Sequence, residues 1–123
     1  MTLARIVAAL GGLFFLVVGV WAFVHPPSFS EVVAPFPPLN VHFLRDAGAF
    51  QVGLGVALLL ALVRADALLV ALAAVGTASL FHLASHVIDI DRGGEPVRDL
   101  VSLSILAGVL LLAAAVRWRE GAR

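Results

Sequence analysis

Residues 6–24 read IVAALGGLFFLVVGVWAFV, a run without a single charge. Crossing the roughly 30 Å hydrocarbon core of a bilayer takes about 20 apolar residues per helix, so this run has the length of one crossing. Working outward, three more segments repeat the pattern. Ala47 to Val63 is interrupted only by Gln51, and Ala67 to Ile88 carries no ionisable group until His82 and His86. Leu100 to Val116 holds only Ser102 and Ser104 as polar groups. The second and fourth charge-free cores are short, which draws Arg45–Asp46 and Arg98–Asp99 into the interface. Helices are forced because lipid offers no water to satisfy open backbone groups. The alternating segments of a membrane β-barrel are absent.

The expected fold is all-α: an integral membrane four-helix bundle, up-down-up-down, in one domain over 1–123. Its helices run about 4–25, 41–64, 66–90 and 96–118. Composition agrees, with 62% hydrophobic and 13% charged residues against roughly a quarter charged in a soluble domain. Arg5 before an apolar run imitates a secretory leader. The run is long for one, and His25-Pro26-Pro27 provides no small-x-small cleavage site, so a retained helix is expected. The absence of cysteine excludes disulfides and thiolate chemistry. Zero formal net charge and no basic run leave nothing to attract nucleic acid. The lipid bilayer is the expected partner, with a homo-oligomer or a membrane partner protein possible beside it.

Local signals set the ends. A residue before proline is pushed out of the α region, so the first helix stops at His25-Pro26-Pro27. The proline-rich stretch to Leu39 reads as a loop that lays Phe29, Val32, Val33 and Phe36 on the membrane surface. Asn40 is an N-cap candidate. The short Arg64-Ala65-Asp66 link makes helices two and three a tight hairpin with Asp66 as N-cap. Gly93-Gly94 suits a helix end, and Pro96 suits the first position of helix four. Small residues at Gly12, Gly19, Ala49, Gly53, Gly76 and Gly108 mark candidate close contacts. Trp21 and Trp118 read as interfacial anchors. Arg5, Arg64, Arg117, Arg119 and Arg123 fall on one side of the membrane, and Arg45, Arg92 and Arg98 on the other. The positive-inside rule places both termini in the cytoplasm.

That topology collects His25, His42, His82 and His86 at the outward end, with Arg45, Asp46, Asp89 and Asp91. At 100° per residue, Ser79, His82, His86 and Asp89 share one arc of helix three, while His42, Arg45, Asp46, Ala49 and Gly53 share a face of helix two. The two polar stripes are expected to face each other across the hairpin, since ionisable groups in a span usually point inward. His82-x-x-x-His86 presents two imidazoles to one ion. His42, Asp46 and Asp89 could complete an N/O site for zinc, iron or copper, or one histidine from each helix could ligate haem b. The plainer reading is a structural network in which the cluster locks helices two and three. Asp89, beside the negative end of its helix dipole, needs Arg45, Arg92 or Arg98 as partner. Asp91 and Asp99 belong to the same charge pairing, Gln51 should bond between helices, and Ser102 and Ser104 back to their own helix.

The stretch Asn40-Val41-His42-Phe43-Leu44-Arg45-Asp46-Ala47-Gly48 resembles a group of small four-helix membrane proteins common in actinobacteria. They are similar in an N-x-H-x-x-R-D-x-G opening of helix two, a preceding proline-containing loop, and a histidine pair ending helix three. The plan is also similar to DoxX-like proteins in topology. The resemblance implies architecture and a bacterial plasma membrane, and no mechanism. Three functions stay open: a metal- or haem-binding module, a structural or accessory membrane subunit, and an oligomeric transporter, for which mid-membrane only Gln51 is available. An enzyme is disfavoured, because no serine, cysteine or lysine nucleophile accompanies the cluster.

Overall fold

The computed structural model describes residues 2–64 and 66–121; Arg123 of the arginine argument lies outside them. The helices are α1 (Leu3–Val24), α2 (Pro26–Val32), α3 (Val41–Leu60), α4 (Leu68–Ile88) and α5 (Pro96–Gly121). Four of them, α1, α3, α4 and α5, are long and apolar enough to cross a membrane. Among the described residues there is no strand. The all-α four-helix bundle is as expected.

Its ends differ in places. The proline-rich stretch is not a loop throughout, because Pro26 and Pro27 open the short helix α2. Prolines fit a first turn, whose N–H groups have no intrahelical acceptor anyway. His25 leaves the α region at φ −133° and ψ 67°, and its Nδ1 accepts from the Ser28 N–H at 3.3 Å. Phe29 is consequently not on the membrane surface. It is 4% exposed, packed with Ala22 and Leu44, and meets the Trp21 ring edge-on at 5.6 Å. The Trp21 indole N–H donates to Ser28 Oγ at 2.8 Å, so Trp21 holds α2. Asn40 caps α3 as expected, its Oδ1 accepting from the Phe43 N–H at 2.9 Å. Asp66 does not cap α4: the N-cap position is Ala67, without a side-chain bond, and the Asp66 carboxylate turns to Arg64 at 3.7 Å.

Packing departs most from expectation. The spanning helices form two tight pairs, α1 with α3 and α4 with α5, whereas α3 and α4 touch only lightly. The reason is glycine spacing. Gly12 and Gly19 on α1 lie seven residues apart, as do Gly48 and Gly55 on α3, so each pair stays on one helix face. A Cβ on Gly19 would stand 2.8 Å from the Gly48 carbonyl oxygen, and one on Gly48 2.7 Å from that of Gly19. A Cβ on Gly55 would stand 2.8 Å from the Gly12 carbonyl. The two backbones thus touch twice, antiparallel, which only glycine permits and which is the strongest packing device available in lipid. Gly76 approaches Leu111 of α5 in a similar way. Gly53 and Gly108 face open space instead, so they and exposed Ala49 are not close helix contacts among the described residues.

The two pairs meet at the end of the bundle that carries the chain termini. There Ala4, Ala8 and Phe15 of α1, Leu58 of α3, Leu72 and Val75 of α4, and Leu110 and Ala113 of α5 form one buried core. Arg5 donates to the Leu62 carbonyl at 2.8 Å and ties α1 to the link after α3. The opposite end, called here the histidine end, has a much smaller core around Phe29.

Candidate functional site

What the histidine end lacks in apolar core it replaces with polar contacts, centred on the first turn of α5. Pro96 starts that helix, which puts Arg98 and Asp99 in its first turn. Asp99 is 7% exposed. Its Oδ2 accepts the Glu95 N–H at 2.9 Å, satisfying one of the open donors of a helix N-terminus. Its Oδ1 receives Arg98 Nε at 2.9 Å and Nη2 at 2.9 Å. From α4, His86 Nδ1 lies 3.6 Å from Oδ2.

Arg98 then reaches across the bundle. Nη1 donates to the Val32 carbonyl at 3.0 Å and Nη2 to the Val33 carbonyl at 2.9 Å. These carbonyls end α2, where a helix leaves acceptors open and a cation is favoured. Next along the chain, Gly94 N–H donates to the Pro35 carbonyl at 3.1 Å. Phe36 sets its ring edge-on against His86 at 5.5 Å. Gly94, at φ +79°, needs glycine on two counts: its backbone is left-handed, and a Cβ would stand 2.6 Å from Asp99 Oδ2. Four chain segments therefore meet at one carboxylate: the end of α2 with its loop, α4, the 89–95 turn and α5.

The expected five-residue metal set is divided differently. His42 and Asp46 pair with each other at 3.4 Å along exposed α3. His82 stacks at a tilt on His86, ring centroids 5.0 Å apart, and Ser85 Oγ donates to its carbonyl. Asp89 pairs with Arg92 at 3.0 Å, one of the three partners named for it. Among the described residues no group of three or more His, Asp or Glu side chains is placed to hold one metal ion. The physical cause is the packing described above: the glycine seam turns α3 toward α1, so its polar stripe does not face α4.

Other expected pairs also change. Among the described residues Asp91 and Arg45 make no ion pair and Gln51 makes no interhelical hydrogen bond, its Cβ lying beside Gly19. Ser102 Oγ donates to the Asp99 carbonyl at 3.2 Å, while Ser104 makes no such bond among the described residues. Phe36, expected on the membrane surface, sets its ring against His86 instead, and the parts of Gly94 and Glu95 beside Asp99 are the ones not expected. The available signal was the order Gly-Gly-Glu-Pro-Val-Arg-Asp: a flexible turn, a helix start, then a charge pair inside the first turn. No family model, curated protein or solved structure matches the chain.

Proposed function

We propose that this chain is a structural or accessory membrane subunit whose polar end is a latch. It differs from the expected lock in what it joins: α4 and α5 to α2 and its loop, rather than α3 to α4. The observation that carries the reading is the completion of Asp99 within the chain by Glu95 N–H, Arg98 and His86. No buried side-chain N or O atom among the described residues lacks a partner. Large apolar side chains cover the outside, among them Leu10 at 65%, Phe50 at 78% and Ile88 at 80% exposure. That surface suits lipid and neighbouring membrane helices. The excess of arginine at the termini end supports cytoplasmic termini, with the latch on the far side of a plasma membrane.

A site for zinc, iron, copper or haem b at the same residues has weaker support, because His82 and His86 gain no third ligand from α3. A transporter would need an ionisable group deep in the spans, where Gln51 of α3 and Thr77 and Ser79 of α4 are polar but uncharged. The test is thermal unfolding in monomeric detergent solution. His86→Ala and Asp99→Ala should each lower the midpoint, while His42→Ala and Asp46→Ala should leave it nearly unchanged. Equal effects in both pairs would contradict the latch.

A further inference from the structure

The exposed polar face of α3 has no use in the latch. Of the four spanning helices α3 is the least covered, with 17% of its apolar window buried against 28–39% in the others. Along its open side run His42, Asp46, Ala49, Gly53, Ala57 and Leu60, all exposed and all within about 40° of one line at 100° per residue. A Cβ on Gly53 would meet nothing within 4 Å. Arg45 flanks this line, exposed and without a partner among the described residues. Asp46 has only the exposed His42, at 3.4 Å.

These charges sit badly in lipid. The charge-free stretch 47–63, α3 and the turn that follows it, is about 25 Å long at 1.5 Å per residue, shorter than the roughly 30 Å of hydrocarbon. Arg45 and Asp46 are drawn toward the apolar zone on the face with least protein cover. A span too short for its bilayer is relieved by oligomerising among other routes, and a charge in a span is stabilised by an opposite charge.

We infer that a second copy of this chain packs on this face, α3 against α3 about a two-fold axis near Gly53, with Arg45 of each copy meeting Asp46 of the other. The charge complementarity selects this occupant. Copies inserted the same way bring equal positions together, so a +/− pair adjacent in sequence becomes two intersubunit ion pairs. Ala49, Gly53 and Ala57 then let the backbones approach as Gly19 and Gly48 already do within the chain. The inference is independent of the latch and stands or falls separately.

The absence of cysteine makes the test direct. Ala49→Cys or Gly53→Cys in the full chain, in native-like membranes under mild oxidant, should give a covalent dimer. Leu10→Cys, exposed on α1, should not. Gly53→Leu, which has open space around it and leaves the monomer fold intact, should weaken association about tenfold. Arg45→Asp should do the same, and adding Asp46→Arg should restore it. Three outcomes would overturn the proposal: a single chain per particle by photobleaching in bilayers, cross-linking at Leu10 equal to that at Gly53, or adducts only with a protein of different size.

Discussion

The Asp99 carboxylate of α5 faces the His86 imidazole of α4 at 3.6 Å while Arg98 holds its other oxygen at 2.9 Å. One buried acid therefore joins two helices and, through Arg98, the end of a third. Removing one member of a buried charge arrangement leaves the others uncompensated, at about 3–5 kcal/mol. Half-exposed Arg98 (46%) puts this case at the low end. Asp99→Ala is thus expected to destabilise by about 3 kcal/mol. Asp99→Asn, which keeps an acceptor for Glu95 N–H, should cost less. Chemical or thermal unfolding in detergent checks both, and a change below about 0.5 kcal/mol for the alanine would refute the assignment.

Arg98 acts on the loop more than on the helices. Arg98→Lys keeps a charge but lacks the planar fork that serves Val32, Val33 and Asp99 together. Hydrogen exchange should rise in residues 33–36 and 93–95, with the α1–α3 seam unaffected. Uniform exchange across the chain, or none, would count against the latch.

The seam makes a sharp contrast between glycines. Gly48→Val places a side chain where a Cβ is already 2.7 Å from a carbonyl, and overpacking of rigid backbone should cost about 3 kcal/mol or more. Gly53→Ala meets open space and should stay within about 0.5 kcal/mol. Measuring the two side by side in monomeric detergent solution decides it; comparable losses would mean that the seam is misplaced.

How far the sequence led can be judged from these residues. Four crossings were legible because apolar run length alone answers to bilayer thickness. Asn40 and Pro96 were legible because caps are local chemistry. The pairing of α3 with α1 was not, since Gly48 and Gly55 are separated by a heptad that looks like any other glycine spacing in an alanine-rich span, and Ala49 and Gly53 offered an equally small stripe on the opposite face. Because α3 faces α1, His42 and Asp46 pair with each other and stand apart from His82 and His86. Asp99 is legible as a member of the interfacial charge pairing. Its role as the hub depends on Pro35 and Phe36, more than sixty positions upstream, and no local rule connects them.

Trp21 provides a smaller check on the histidine end. Trp21→Phe keeps a ring against Phe29 but loses the 2.8 Å bond to Ser28 Oγ, a change worth about 1 kcal/mol. Ser28→Ala should match it, and the double variant should add little further, since both remove one bond. Additive losses in the thermal midpoint would show that the two side chains act separately.

The most direct test of the latch is a double-mutant cycle between His86 and Asp99, with His86→Ala, Asp99→Ala and the double variant unfolded in detergent with and without a chelator. The latch predicts a coupling of at least about 1 kcal/mol that the chelator leaves unchanged. A coupling near zero, or one present only with metal and lost with the chelator, would contradict it.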